Sequence, residues 1–246
     1  MNQEFIFKSE DIEGEATLDA VAKASRFNQW MYDVIRPHCS GKILEIGSGI
    51  GNISTYFLRD HYQILLSDIR ENYCAKLQDR FDGQVGTLGV ELMDITDAAF
   101  EEKFGHYFGS FDTLFALNVV EHIYDHRLAL ENCAKLLKKG GKLIVLVPAW
   151  QSLFNNLDMA LEHYRRYNKT TLNALFTEAN YTIVHSQYFN ATGIPAWFIS
   201  GKLQGNNVIP AGQMGLYDLF VPIFKIMDKL VFNQVGLSVI TVGEKC

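Results

Sequence analysis

Five short apolar segments alternate with helix-like segments through the first 150 residues, and this alternation limits the possible folds most strongly. Each segment is rich in Ile, Val, Leu or Phe, which is typical of buried strands. Strands joined through single helices form right-handed crossovers, and these build a parallel sheet covered on both faces. The sequence therefore predicts an α/β fold. The predicted strands are 42–46, 63–67, 87–92, 111–117 and 142–147, separated by helices at 51–60, 70–81, 96–103 and 126–138.

The pattern changes after Pro148. Residues 169–179 are predicted to form a helix that begins at Thr170 or Thr171 and ends at Asn180. Two further strands are predicted at 181–188 and 237–243, and a helix at 16–36 precedes the first strand. We expect one domain, 1–246, in three parts. These parts are an N-terminal helical cap (1–39), a core (40–188 and 235–246) and a lid insertion (189–234).

The lid insertion holds three of the five prolines and five charged residues. Its apolar residues from Leu216 to Val231 follow helical spacing, and Pro222 is expected to kink or split that helix. Aromatic and methionine side chains in the lid, together with Trp30 and Tyr32 of the cap, favour an apolar acceptor. The same residues would also suit a core of the lid itself or a homodimer seam.

Composition excludes several classes of protein. With 246 residues, 48% of them apolar, the chain can bury a large core and is not disordered. A net charge of −6 argues against a nucleic-acid partner. The four cysteines are scattered, which fits a reducing compartment. Neither a signal peptide nor a run of 18 apolar residues is found, so we expect a cytoplasmic protein without stable membrane insertion.

The sharpest local motif is ILEIGSGIGN, residues 43–52. An apolar strand containing Glu45 leads into Gly47, Gly49 and Gly51, and a helix follows. Such glycines permit a tight turn and let a ligand approach the backbone. The dinucleotide fingerprint would place its third glycine at position 52, which is Asn52. Glu45 would also repel a pyrophosphate, and it suits a ligand that carries an ammonium group.

Two aspartates follow the next predicted strands. Asp68 ends the second strand, where a carboxylate can accept hydrogen bonds from ribose hydroxyls. Asp94 follows the third strand and could accept a hydrogen bond from the amino group of an adenine. Each aspartate could instead cap the helix that comes after it.

Together these motifs resemble a class I S-adenosylmethionine-dependent methyltransferase. The matching segments are ILEIGSGIGN (43–52), LLSD (65–68), LMDI (92–95), FDTLFALNVVEHI (111–123) and LLKKGGKLIVLVP (136–148). NVVEHI and HYRRY (163–167) are similar to small-molecule methyltransferases of the type 11 and type 12 groups. The resemblance implies a Rossmann-like sheet of seven strands, mostly parallel, in the order 3-2-1-4-5-7-6, with the last strand antiparallel.

The resemblance also implies roles for individual residues. S-adenosyl-L-methionine would be the methyl donor and S-adenosyl-L-homocysteine the product. The donor would contact Glu45, Gly47, Ser48, Gly49, Gly51, Asp68, Asp94, Ile95, Asn118 and Val119.

Methyl transfer from a sulfonium needs alignment above all, and a base only where the acceptor loses a proton. His122 and His163 are the candidate bases, and either could instead belong to a loop or helix cap. Arg166 and Tyr167 could hold an anionic group, and Trp197 an apolar one. The spacing His122-x-x-Asp125-His126 is similar to a zinc motif, but no third ligand is evident, so no metal is expected.

The sequence thus predicts an enzyme that methylates a small, apolar, aromatic or lipid-like acceptor. Oxygen is the favoured acceptor atom. Two alternatives remain open at this point. One is a methyltransferase acting on protein or RNA, and the other is a noncatalytic, cofactor-binding partner subunit.

Overall fold

A seven-stranded sheet in the order β3-β2-β1-β4-β5-β7-β6 forms the centre of the computed structural model, which describes residues 12–205 and 211–246. β7 is antiparallel to β5 and β6, and the other paired strands are parallel. The predicted class, strand order and antiparallel last strand are therefore confirmed. The strands are β1 (Lys42–Ile46), β2 (Gln63–Asp68), β3 (Thr87–Leu92), β4 (Phe111–Leu117), β5 (Leu137–Pro148), β6 (Tyr181–Phe189) and β7 (Ser238–Lys245).

Helices cover both faces of this sheet. Alternate residues of a strand point to opposite faces. Accordingly Leu44 and Leu114 belong to one buried apolar cluster, whereas Ile43 and Phe115 belong to another. The described helices are α1 (Ile12–Ala22), α2 (Ser25–Ile35), α3 (Ser54–Arg59), α4 (Glu71–Phe81), α5 (Phe100–Phe104), α6 (His126–Leu136), α7 (Asn156–Ala160), α8 (Lys169–Glu178), α9 (Gly193–Trp197) and α10 (Ala211–Leu230).

The predicted single helix at 16–36 is wrong, because the chain turns between α1 and α2. Ala24 is fully buried there with a non-helical backbone (φ −91°, ψ 70°). The two helices have different packing partners. α1 places Leu18 against Gly49, whereas α2 buries Trp30 and Tyr32 among the aromatic residues of the core. One straight helix could not serve both surfaces.

The predicted range of α8 is confirmed to within one residue, but Thr170 and Thr171, the residues predicted to open it, are not its capping residue. Asn168 is the capping residue, since its side chain accepts a hydrogen bond from the amide of Thr171 at 2.8 Å. The Thr171 hydroxyl in turn accepts from the amide of Asn168 at 2.9 Å, which completes a capping box. The predicted end is confirmed, because Asn180 follows the helix with a positive φ of 63°.

The lid insertion contains α9, a π-helical segment (Phe198–Leu203) and α10. Pro222 lies inside α10 without dividing it, so the expected split is wrong. Val221 and Phe224 pack against the core on either side of Pro222. The Phe27 amide of α2 also donates to Asp218 at 2.8 Å. This packing outweighs the one backbone hydrogen bond that proline cannot donate.

Candidate functional site

The glycine loop turns sharply after β1. Gly47, Gly49 and Gly51 have φ values of +68°, +55° and +80°, a region that side-chain-bearing residues rarely adopt. A Cβ atom on Gly47 would overlap Cγ2 of Val119, which follows β4. The loop can therefore approach the neighbouring strand end only with glycine at position 47.

Asp68 ties this loop to the end of β2. Its Oδ2 accepts a hydrogen bond from the Gly49 amide at 2.9 Å, and its Oδ1 accepts from the Arg70 amide at 3.0 Å. Burial raises the pKa of Asp68, and these backbone amides oppose that shift. Each carboxylate oxygen has a second lone pair, so Asp68 can still accept from ligand hydroxyls.

A cavity of about 1060 Å³ begins at the glycine loop and continues beneath α10. Drug-sized ligands occupy pockets of roughly 300–1,000 Å³, so this volume suits a nucleoside-type ligand and a second molecule together. Its walls include the predicted residues Gly47, Gly49, Asp68, Asp94, Ile95, Asn118, Val119, His122, His163, Arg166 and Trp197.

Three predicted cofactor contacts lie behind the loop rather than on the cavity wall. Glu45 accepts a short hydrogen bond from the Ser54 hydroxyl, and burial raises the pKa of Glu45 to about 8. The Ser48 hydroxyl accepts from the Ser67 amide at 3.2 Å. Gly51 faces Phe81, with no space for a Cβ. These residues shape the loop, and their contact with the donor stays a prediction.

Asn52, at the position where a dinucleotide site would have glycine, serves the cap instead. Its side-chain amide donates to the Leu18 carbonyl at 3.3 Å, which fixes α1 over the loop. Gly49 shares this packing, because a Cβ there would lie 3.2 Å from Leu18. The residue at the third-glycine position thus holds α1 against the glycine loop.

Asp94, Ile95 and Asn118 lie further along the same wall. Oδ1 of Asp94 accepts from the Thr96 amide at 2.8 Å, which closes a local turn, and Asp94 lines the cavity. The alternative capping role is wrong, because α5 begins only at Phe100 and Ala99 is its capping residue. The Asn132 side chain donates to the Ile95 carbonyl at 2.8 Å and holds this loop in place. Asn118 adopts a positive φ of 55° directly after β4.

Three of the predicted substrate contacts are corrected by the structure. Tyr32 donates from its hydroxyl to Asp60 at 2.6 Å, inside the core. Trp30 packs on Phe189, with ring centroids 4.5 Å apart. The Tyr167 hydroxyl lies 2.7 Å from Nδ1 of His126. None of these three side chains lines the described cavity. Aromatic residues in the cap indicated a ligand surface, but most of their area is used in packing.

His163 and Arg166 share one buried carboxylate, Asp158. Nδ1 of His163 lies 2.8 Å from Oδ1 of Asp158, and Nε of Arg166 donates to the same oxygen at 2.7 Å. Burial opposes ionisation of Asp158, but hydrogen bonds and charges from His163 and Arg166 outweigh it and lower its pKa. An ionised carboxylate only accepts, so Nδ1 of His163 carries the hydrogen and Nε2 is left as the basic atom.

His122 lies beside this group, with its ring centroid 4.6 Å from that of His163. Burial lowers the pKa of His163, so its imidazole is mostly neutral near pH 7. His122, in contrast, is exposed. Glu121 completes the group, and burial raises its pKa to about 8. Neither Glu121 oxygen has a hydrogen-bond partner among the described residues.

The ligating atoms of Glu121, His122 and His163 lie within 4.8 Å of one another. Two imidazoles and one carboxylate form a donor set that divalent transition metals accept. The sequence pattern pointed instead to Asp125 and His126. The structure assigns those residues elsewhere, since Asp125 caps α6 by accepting from the Leu128 amide at 3.0 Å.

Sequence reasoning missed Asp158 and assigned no site role to Glu121. Asn155 and Asp158 form a capping box on α7, and this short helix was not predicted. The spacing of Asn155 and Asp158 was a usable indication of that helix. Nothing local indicated that Glu121 would meet residue 163, because the contact depends on how the loops after β4 and β5 fold together.

The sheet order, the glycine loop and the acid at the end of β2 define the class I S-adenosylmethionine-dependent methyltransferase fold. A sequence model described as a methyltransferase domain matches residues 35–186. The chain therefore belongs to the methyltransferase-domain family. The methyl donor of this family is S-adenosyl-L-methionine, and the product is S-adenosyl-L-homocysteine.

Similar proteins with curated descriptions match only in part. A Mycobacterium tuberculosis protein named a probable S-adenosylmethionine-dependent methyltransferase is 24% identical over 65% of this chain and 56% of that protein. The ubiquinone biosynthesis O-methyltransferase of Xanthomonas euvesicatoria is 29% identical over 42% of this chain and 41% of its own length. A highly reducing polyketide synthase of Aspergillus sclerotiorum is 29% identical over 43% of this chain, which is 4% of the synthase.

Solved structures share the fold over most of the chain. One match is a Haloferax volcanii methyltransferase in complex with the Trm112 methyltransferase activator. The superposition covers 95% of each chain, with a TM-score of 0.63 and 13% identity. Geranyl diphosphate C-methyltransferase from Streptomyces coelicolor covers 89% of this chain and 77% of its own, with a TM-score of 0.61 and 10% identity. No described helix is long and apolar enough to cross a membrane.

Proposed function

We propose that this chain methylates an oxygen atom of a small, apolar or amphiphilic acceptor. The observation that carries the proposal is the His163–Asp158 pair, in which His163 lines the same cavity as the glycine loop and Asp68, while Asp158 is buried behind it. A cavity that holds donor-binding residues at one end and an oriented base at the other suits acceptor deprotonation coupled to methyl transfer.

The donor half of the cavity fits the donor's groups. Asp68 has lone pairs for ribose hydroxyls, and Asp94 and Ile95 stand where an adenine would lie. Gly47 and Gly49 line the cavity without a side chain, so the methionine part could approach their backbone. When bound, S-adenosylmethionine supplies a methyl group already activated on sulfur.

His163 supplies the proton acceptor. Its Nε2 takes the proton of the acceptor hydroxyl while the oxygen bonds to the methyl carbon and the carbon–sulfur bond breaks. Asp158 holds the ring in the required tautomer and stabilises the imidazolium that forms. His122 stands against the His163 ring and helps to fix its orientation.

The residues of the lid insertion that line the cavity favour an apolar acceptor. Trp197, Met214 and Tyr217 line the cavity opposite the donor-binding residues. The Arg166 guanidinium lies over the Trp197 ring, 4.6 Å from its centroid, and its Nη2 has no partner among the described residues. A polar head group of the acceptor would pair with Arg166 and Glu121, while its apolar part would lie under α10.

The test uses methyl-labelled cofactor with purified protein and an extract of the source organism. We expect label in the organic-soluble small-molecule fraction, and a loss of that label with Gly47→Val. Label in protein or nucleic acid would show that the protein is a methyltransferase but that its acceptor is a macromolecule. Bound S-adenosylhomocysteine without label in any fraction would favour a noncatalytic, cofactor-binding subunit.

A further inference from the structure

Large apolar side chains are exposed along one face of α10 and the turn that follows it. Their exposed fractions range from 46% to 80%. The positions 219, 223, 226 and 230 are spaced by three or four residues, so they form one continuous stripe. We call the exposed apolar residues of this stripe the outer stripe. They are Leu219, Ile223, Ile226, Met227, Leu230 and Phe232.

The opposite face of α10 is apolar too, and it is already used. Met214 and Val221 are buried, and Tyr217 packs against Phe27 of α2 with ring centroids 6.1 Å apart. A helix that is apolar on both faces is normally buried on both. The described chain covers only the inner face, so the outer stripe lacks a partner of its own.

Lys225 of α10 pairs with the exposed Asp33 of α2 at 2.8 Å, so this pair adds no net charge beside the outer stripe. Both acids of the lid insertion turn inward. Asp218 accepts from the Phe27 amide, and the buried Asp228 accepts from the Asn190 amide at 2.6 Å. Lys202 and Lys229 are exposed. The exposed Arg26 donates to the Leu219 carbonyl at 3.3 Å, next to the stripe. A chain of net charge −6 therefore presents cations beside its exposed apolar stripe.

We infer that the outer stripe docks α10 onto the surface of an anionic lipid bilayer, with the helix lying in the plane of the interface. Apolar side chains that enter the boundary between head groups and acyl chains, beside cations that face anionic lipids, are the requirements for such binding. The mode is peripheral, which agrees with the lack of a membrane-crossing helix among the described residues.

This orientation places the bilayer next to the acceptor half of the cavity. Met214 and Tyr217 line the cavity from the inner face of the helix that carries Leu219 on its outer face. An apolar acceptor that leaves the bilayer would then have to pass only α10 to reach the cavity. The docking itself does not depend on the identity of the acceptor.

The test is sedimentation of the full chain with vesicles of phosphatidylcholine alone, or of phosphatidylcholine mixed with phosphatidylglycerol. We expect binding to the mixed vesicles, weakened by added salt. The triple variant L219E/I226E/L230E should reduce it at least about tenfold, because three carboxylates replace inserted side chains. Val85→Glu, at a residue 86% exposed outside the stripe, is the matched control and should bind as the parent does.

Two further measurements on the same samples make the result decisive. S-adenosylhomocysteine affinity, measured by titration, should be unchanged in the triple variant, which shows that it is folded and separates this inference from the proposed function. The molar mass in solution should be that of a monomer. A dimer that the triple variant dissociates would assign the stripe to a second copy and overturn the inference. Vesicle binding that is absent, or unaffected by the triple variant, would also overturn it.

Discussion

Two buried glutamates, one in each half of the cavity region, have the same burial and different surroundings. Glu45 in β1 and Glu121 after β4 are both fully surrounded by protein, and burial raises the pKa of each to about 8. Ser54 donates its hydroxyl to Glu45. Neither oxygen of Glu121 has a partner among the described residues.

The difference separates a structural carboxyl group from one kept for a ligand. A buried polar group without a partner costs free energy, and such groups are concentrated at functional sites. The donor half pairs Glu45 with Ser54 and presents Asp68 and the glycine loop to the cavity. The acceptor half leaves Glu121 and Nη2 of Arg166 for a second molecule. The following experiments test this contrast between the two halves.

The largest effect is expected from Asp158→Asn in the acceptor half. Asparagine would donate to Nδ1 of His163 and place the hydrogen on Nε2, which removes the base. We expect turnover to fall by about 10²–10⁴-fold, as loss of an orienting carboxylate does elsewhere. S-adenosylhomocysteine affinity should stay within about twofold, since Asp158 lies outside the donor half. A variant that keeps its full turnover would remove His163 from the proposed chemistry.

Gly47→Val tests the donor half. The new side chain would overlap Val119, and the backbone at position 47 has a positive φ of 68°. We expect S-adenosylhomocysteine affinity to weaken at least about 100-fold, because both the clash and the φ oppose the native turn. Calorimetric titration measures the affinity. Gly212→Val is the matched control, because a Cβ atom at Gly212 would meet nothing within 4 Å.

Glu45→Gln changes how stability depends on pH. The folded pKa of Glu45 is about 8, above its ordinary value of 4.5, so the folded state keeps a proton that the unfolded state releases. Stability therefore falls as the pH rises from about 5 to 8. Glutamine removes this dependence, and we expect the variant to regain about 2 kcal/mol or more across that interval, relative to the parent.

Urea unfolding at several pH values measures this slope. Glu121→Gln should flatten it in the same direction, because the pKa of Glu121 is raised by the same cause. The two variants should differ in turnover. Glu121→Gln lowers it and Glu45→Gln leaves it near the parent value, if only Glu121 faces the acceptor. Equal turnover in the two variants would contradict the contrast.

Asp68→Ala should give the smallest of these changes. Loss of a charged hydrogen-bond partner costs about 1.5–3 kcal/mol, so S-adenosylhomocysteine affinity should weaken at least about tenfold. The Michaelis constant for the acceptor should change little, because Asp68 lies in the donor half. Unchanged cofactor affinity would leave Asp68 as a link between Gly49 and Arg70 alone.

The sequence determined the fold and the donor half. Strand periodicity, Gly47, Gly49 and Asp68 lie in short contiguous motifs, and the chemistry of a tight turn or a strand end depends mainly on neighbours along the chain. These motifs carry the family resemblance that implied the strand order, which is confirmed, and Asp68 lies on the cavity wall.

Tertiary structure alone decided the acceptor half and the roles of several aromatic residues. His163 meets Asp158 and His122 because two loops from different strands converge, and no local spacing encodes that contact. Tyr32 and Trp30 entered the core because aromatic area is buried wherever it packs best. The outer stripe of α10 has the same apolar spacing in the sequence as the buried face, and only packing against α2 distinguished the two.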